Sequence, residues 1–292
     1  MRLAIISRML TVVLAAAPLV AQMTPQNPSP STETTRPHPR AAKVEVPGER
    51  TTLKSLNGAV MFVSPKVKRS KPAPLVIHFH GAPWLVEKQI ADELPRAVLL
   101  TVNLGSGSRA YGGPFAADPK LFKSVIDEAA AALKLKTGFS SITLIGFSAG
   151  YGAIRQILRQ PDNFRIVDNV LLLDGIHASY VPEGKPLGAG GVIRDEDLDS
   201  YLAFAREAVA GRKSFTITHS ELFPGTYAST TECVDYLIAK LGLKRSPKLK
   251  TGPIGMQQLS EVNAKGFKIR GYAGNTGIDH GDHLNAMPAW LN

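Results

Sequence analysis

The sequence predicts an α/β domain built on a mostly parallel sheet with helices on both faces, and three observations carry that prediction. Short apolar runs alternate with helical periods from about residue 49 to the end of the chain. Several of those runs end at glycine or polar residues, as buried parallel strands do. A small-residue turn, Gly146-Phe147-Ser148-Ala149-Gly150, joins one run directly to a helical segment.

In chain order the strands are expected at 59–63, 75–79, 97–102, 141–145, 166–173, 214–218 and 267–272. Helices are expected at 120–134, 149–159, 198–210, 229–241 and 284–291. Pro161 stops the second helix and Gly211 the third. Ser229 with Glu232 forms a capping box that opens the fourth, and Gly242 lies just past its end. Segments 105–115, 178–194 and 222–229 carry Gly, Pro and Tyr and read as loops around a pocket. No internal repeat is present.

The chain has 292 residues, 44% of them hydrophobic and 20% charged, as in ordinary globular proteins. Its front end reads differently. Arg2 and Arg8 precede an apolar run from Met9 to Val20, and Ala21 offers a small residue for cleavage, so 1–21 reads as a secretory signal peptide. The run is short for a bilayer span, and no later segment approaches one. Residues 22–48 are rich in Pro, Ser and Thr and read as a disordered linker. Residues 49–292 form the folded domain, and the chain is expected to be secreted or periplasmic.

The formal net charge is +10. Lys66, Lys68, Arg69 and Lys71 make one basic cluster and Lys244, Arg245, Lys248 and Lys250 another, both read as solvated loops. No nucleic-acid-binding motif accompanies them, and no nucleic-acid partner is expected. Cys233 is the only cysteine; its neighbours have helical spacing, so it reads as a core residue.

The chemistry centres on Ser148. A nucleophile elbow turns sharply between strand and helix, so the residues two before and two after the nucleophile must be small. Gly146 and Gly150 fill those places. The serine then sits at a helix N-terminus, where backbone N–H groups favour developing negative charge. Ala149 supplies one oxyanion donor. A second is expected from the loop His80-Gly81-Ala82-Pro83. Pro83 has no N–H, so Ala82 is preferred, with Gly81 or Trp84 the alternatives.

The base is expected in the segment Asp279-His280-Gly281-Asp282-His283. His283 opens the terminal helical run and is preferred by position, with His280 the alternative. The acid is Asp174, at the end of one strand, or Glu221, after the next. His80, Trp84, Tyr111, Tyr180 and Phe223 are expected to bind substrate, together with Tyr227 and the rim serines Ser106 and Ser108.

In this order of motifs, residues 75–292 resemble the α/β-hydrolase superfamily. The resemblance implies an eight-stranded-type sheet, a Ser-His-acid triad and no cofactor, and the reaction expected of such a triad runs through an acyl-enzyme intermediate. It departs from many esterases in having Ala-Pro after the HG pair, and it has no long apolar insertion, so a minimal cap is expected. The implied function is a carboxylesterase-like hydrolase of small-molecule esters or amides, including envelope-derived ones. Two other readings stand beside it. His78 and His80 with the 279–283 cluster would serve a metal-dependent hydrolase. A dead site would leave a binding protein.

Overall fold

In a computed structural model, residues 41–135 and 138–291 are described. The expected signal peptide at 1–21 and the linker as far as residue 40 lie outside them. Residues 41–48 have no regular secondary structure and are mostly exposed. Arg50 ties them down by donating to the carbonyls of Val46 and Gly48.

The strands are β1 Glu49–Thr52, β2 Ala59–Val63, β3 Pro74–Phe79, β4 Val98–Val102, β5 Ser141–Phe147, β6 Asn169–Leu173, β7 Tyr180–Val181, β8 Val192–Ile193, β9 Ser214–His219, β10 Ser246–Thr251, β11 Gln257–Ala264 and β12 Phe267–Tyr272. The helices are α1 Pro83–Glu93, α2 Ser108–Ala117, α3 Leu121–Ala132, α4 Tyr151–Leu158, α5 Pro161–Ile166, α6 Asp199–Ala210, α7 Thr230–Lys240 and α8 Gly277–Asn285. The last is followed by a short 3-10 turn, Met287–Trp290.

Ten strands form one sheet in the order β1-β2-β4-β3-β5-β6-β9-β12-β11-β10. From β4 to β12 the pairing is parallel. Both edges are antiparallel hairpin-like additions. The central strands are apolar on both sides, and their alternation sorts them between two cores. Leu75, Ile77, Phe79, Leu144, Val170 and Leu172 face one core, where α2, α3, α4, α6 and α7 pack. Val76, Leu99, Ile145, Phe147, Leu171 and Leu173 face the other, beneath α1, α8 and the last turn. A sheet buried on both faces reads in sequence as continuous apolar runs, which is why these strands were legible.

Several elements differ from expectation for identifiable reasons. Pro83 occupies the first turn of α1, where its missing N–H costs nothing, so a helix begins where a loop was expected. Segment 105–115 contains α2 despite its glycines and Pro114. Residues 166–168 are not strand, because α5 runs to Ile166. The second basic cluster is not a loop: β10 is an exposed edge strand, and Arg245 pairs with Asp235 and Lys248 with Glu261. Charged residues on an edge strand discourage pairing with other chains.

The C-terminal segment matters most for the site. Helix α8 begins at Gly277, not near residue 284, because Thr276 and Asp279 form a capping box. The Thr276 hydroxyl accepts from the Asp279 N–H at 3.1 Å, while the Asp279 carboxylate accepts from the Thr276 N–H and hydroxyl. Such a cap contributes about 1 kcal/mol, enough to hold a helix whose two glycines and two aspartates are poor formers.

Candidate active site

The parallel strands β3, β5 and β6 are neighbours. Each carries, at or just past its carboxyl end, a non-glycine residue in the left-handed region: His80 (φ 67°), Ser148 (φ 48°) and Asp174 (φ 44°). Side chains seldom tolerate that conformation, which costs roughly 1–2 kcal/mol per residue. Three such residues along one sheet edge gather where open α/β sheets bind ligands.

Ser148 leaves β5 and starts a tight 3-10 turn, Ser148–Gly150, that feeds α4. The turn lies hard against its neighbours. A Cβ on Gly150 would sit 2.2 Å from the carbonyl oxygen of Phe79, at the end of β3. A Cβ on Gly175 would sit 2.3 Å from the Ser148 carbonyl oxygen. The residue after Asp174 therefore touches the backbone of Ser148, which brings the ends of β5 and β6 together.

Asp174 is buried, and three donors converge on its carboxylate. The Ser220 N–H donates at 2.9 Å, the Ser220 hydroxyl at 2.6 Å and His280 Nδ1 at 2.8 Å. Burial alone would push the carboxyl up. The positive ends of His283 and His280 and the hydrogen bonds from His280 and Ser220 outweigh it and hold Asp174 well below the usual carboxylate range. His280 stacks on Phe147, centroids 4.7 Å apart, and His80 stacks on Phe147 at 5.9 Å. The ring preceding Ser148 is thus in contact with both imidazoles.

His283, the base preferred from sequence, is not at this place. It lies one turn further along α8, fully buried, with Nδ1 2.7 Å from the Thr218 hydroxyl. The rings of Tyr272 and Trp290 pack against it at 5.7 and 6.0 Å. Burial pushes its pKa down to about 4, so it is neutral at ordinary pH. The alternative histidine, His280, is the one the structure brings to Asp174.

Of the two acid candidates, only Asp174 meets a histidine. Glu221 is exposed and ties the loop after β9 to the loop after β12: its N–H donates to the Gly274 carbonyl at 2.7 Å, and its carboxylate accepts from the Gly274 N–H at 3.2 Å.

The loop after β3 is pinned to the end of β4. The His80 N–H donates to the Val102 carbonyl, and the Gly81 N–H donates to the Asn103 side chain. Gly81 is thereby engaged. Ala82 is the N-cap of α1, so its N–H stands outside the helical ladder. His80 Nδ1 lies 2.7 Å from the Tyr111 hydroxyl, which itself donates to the Gly105 carbonyl. With its proton committed, the Tyr111 oxygen accepts from His80 Nδ1–H. Burial and the nearby His280 charge keep the His80 pKa below its ordinary value.

A cleft of about 560 Å³ opens beside Ser148 and Ala149. His80, Ser106 and Ser108 line it, as expected. Tyr227, also expected, lines it too, while Tyr151, Arg155, His177 and Asp197 complete the lining without any signal in the sequence. Several residues expected to bind substrate stand elsewhere. Tyr111 is wholly buried beneath His80. Tyr180 is wholly buried and donates to Glu232, the capping residue of α7. Trp84 lines a separate groove with Arg50 and Glu87. Phe223 is exposed on the loop after β9 and is not among the cleft walls. An aromatic residue in a loop fills whatever apolar gap is near, and sequence position alone does not say which.

The metal-binding reading loses its donor set. His78 is buried within β3, His80 is held by Tyr111, Asp279 caps α8, His280 faces Asp174 and His283 faces Thr218. Among the described residues, no three His, Cys, Asp or Glu side chains gather as a metal would require. Cys233 is buried in the core, which pushes its thiol pKa up and leaves it unreactive.

The sheet order, the parallel centre and the strand-elbow-helix at Ser148 define an α/β-hydrolase fold. No protein-family model matches the sequence, and no curated protein matches it. Among solved structures, the chain is similar to Thermogutta terrifontis esterase 2, at 16% identity over 85% of this chain and 95% of that one, with a TM-score of 0.48. It is similar to a puromycin-hydrolysing peptidase of Mycobacterium tuberculosis at 14% identity and a TM-score of 0.44, covering 83% of this chain. It is also similar to an acylaminoacyl peptidase of Pyrococcus horikoshii at 16% identity and a TM-score of 0.40, covering 69% of this chain. The chain spans only 39% and 36% of the length of those two peptidases.

Proposed function

We propose that the protein is a serine hydrolase in which Ser148 is the nucleophile, His280 the general base and Asp174 the acid, acting on esters in preference to amides. The observation that carries the proposal is the Asp174–His280 hydrogen bond of 2.8 Å beside an elbow that holds Ser148 at φ 48°. With Nδ1 bound to the carboxylate, His280 keeps Nε2 for the serine proton.

In the first half-reaction Nε2 takes the Ser148 proton as Oγ attacks the carbonyl carbon. The N–H groups of Ala149 and Ala82 receive the oxyanion. The carbonyl re-forms, the bond to the leaving group breaks, and His280 returns the proton to the departing oxygen. Water then repeats the sequence on the acyl-enzyme. Asp174, kept ionised by its donors, orients the imidazole and stabilises its charged form.

A fluorophosphonate probe tests this directly. The wild-type protein is expected to take one label, and Ser148→Ala none. Folded protein that takes no label would sink the proposal. A panel of p-nitrophenyl esters beside anilides then separates ester from amide turnover. Residues 1–21 support export to a secreted or periplasmic location. Mass measurement of the mature chain tests it, and a retained N-terminus in the cytoplasmic fraction would refute it.

A further inference from the structure

We infer that the cleft beside Ser148 takes a neutral, hydroxyl-rich alcohol, so that the substrate is an acyl ester of a sugar or similar polyol. This rests on the proposed hydrolase reading and adds the substrate class.

The cleft lacks the lining a hydrocarbon needs. Among the described residues, its only aliphatic side chains are Ala149 and Ala178. A long acyl or alkyl chain gains about 0.8 kcal/mol for each buried CH₂, and here the apolar surface comes mainly from aromatic ring faces interspersed with polar groups, which suits a sugar ring better than a flexible chain. Its charges are also spent. Arg155 Nη1 donates to Asp197 at 3.2 Å, and Arg155 Nη2 donates to the His177 carbonyl. Asp197 additionally accepts from the Ser179 N–H at 2.8 Å. The two side chains keep only 13% and 16% of their surface exposed. An acidic ligand that approaches Arg155 meets Asp197, and a basic one that approaches Asp197 meets Arg155. A hydroxyl, which both donates and accepts, suits a neutral pair of donor and acceptor.

The remaining lining fits the same chemistry. His177 donates Nδ1–H to the Ala228 carbonyl at 2.9 Å and, with its pKa pushed by burial down to about 4, is neutral, leaving Nε2 as an acceptor. The ring of Tyr227 packs edge-on to His177 at 5.0 Å and keeps 38% of its surface exposed at the mouth. Such a ring gives the apolar face of a sugar something to lie on. Ser106 and Ser108 offer hydroxyls from the facing rim. The volume of about 560 Å³ lies within the usual span of small-ligand sites. In the reaction the acyl–oxygen bond breaks, the acyl group passes to Ser148, and His280 delivers the proton to the released sugar hydroxyl. Water then frees the acid.

The test compares two acetates that differ only in the alcohol: methyl 6-O-acetyl-α-D-glucopyranoside and hexyl acetate. The sugar ester is expected to have the higher kcat/KM, by about tenfold or more, the worth of one good ring contact and one hydrogen bond. Tyr227→Ala, an exposed position whose loss leaves the core intact, is expected to cut that ratio about threefold, the share of the ring contact. Its folded state is checked by fluorophosphonate labelling. Equal or faster turnover of hexyl acetate by protein that takes the label would overturn the polyol inference and leave the hydrolase reading standing. An unchanged ratio in Tyr227→Ala would overturn it as well. Absence of labelling would remove both.

Discussion

His280 and His283 are the same residue on the same helix, three positions apart, and the structure treats them in opposite ways. His280, on the first turns of α8, reaches the carboxyl edge of β6 and hydrogen-bonds Asp174, with its ring half in contact with Phe147. His283 is roofed by Trp290 and Tyr272 and bonds a neutral threonine hydroxyl. One imidazole keeps an exposed edge and a charged partner. The other is sealed, with a buried Nε2 that has no hydrogen-bond partner. A single helical turn therefore separates a histidine paired with a buried carboxylate from one enclosed by packing. What decides between them is the partner across the sheet edge.

The largest test of that contrast is the pair of alanine variants. His280→Ala is expected to lower kcat by about 10⁴-fold or more with little change in Tm. His283→Ala is expected to keep most of its turnover but to lose about 2–4 kcal/mol of stability to the cavity under Trp290. If His283→Ala abolished turnover while folded, the assignment would reverse. Asp174→Asn comes next. It preserves shape but leaves His280 without an anionic partner, and steady-state kinetics should show a fall of about 10³–10⁴-fold.

Ser220→Ala is a smaller perturbation, since it removes one of three donors to Asp174 and leaves the N–H in place. A drop of about tenfold in kcat with KM nearly constant is expected. An equal rise in KM would mean that Ser220 acts on substrate instead.

The pH dependence of stability sharpens the contrast from the other side. His78, His177 and His283 are buried with pKa values pushed down to about 3, about 4 and about 4. Unfolded histidine takes a proton near 6.5, so the unfolded state binds protons that the native state refuses. Their stabilisation is complete above pH 6.5 and is lost as pH falls from 6.5 toward 4, by up to about 1.4 kcal/mol per pH unit for each histidine. Urea denaturation from pH 8 to 4 should show the slope, and His283→Gln should flatten it by about one histidine's share. An unaltered slope in that variant would show that His283 is not held neutral.

Much of this was legible beforehand. The central strands announced themselves as continuous apolar runs, and GFSAG announced the elbow because a strand-to-helix turn that sharp needs glycine on both sides. The order of serine, acid candidates and histidines was also readable, while the choice between Asp174 and Glu221, each following a strand, was not settled by sequence. Which histidine meets Asp174 is not legible from position along the chain, for a local reason. Gly277, Asp279, Gly281 and Asp282 are weak helix formers, so propensity alone starts the helix near Leu284 with His283 opening it. The Thr276-x-x-Asp279 capping box was the signal that sets the start at Gly277. The cleft wall was illegible for a different reason. Arg155, His177 and Asp197 come from α4, the loop after β6 and the turn before α6, and nothing in one sequence says that they meet.

The left-handed residues at the ends of β3, β5 and β6 bear on how strain and chemistry are distributed in this protein. At each of those positions glycine would sit without conformational penalty, and at Ser148, for which no side-chain hydrogen bond among the described residues offsets it, that relief is the larger effect. Ser148→Gly is expected to melt at or above the wild-type temperature while being inert. Of these three residues, the proposed mechanism uses the side chains of Ser148 and Asp174, so at those two positions the strain and the chemistry fall on the same residue.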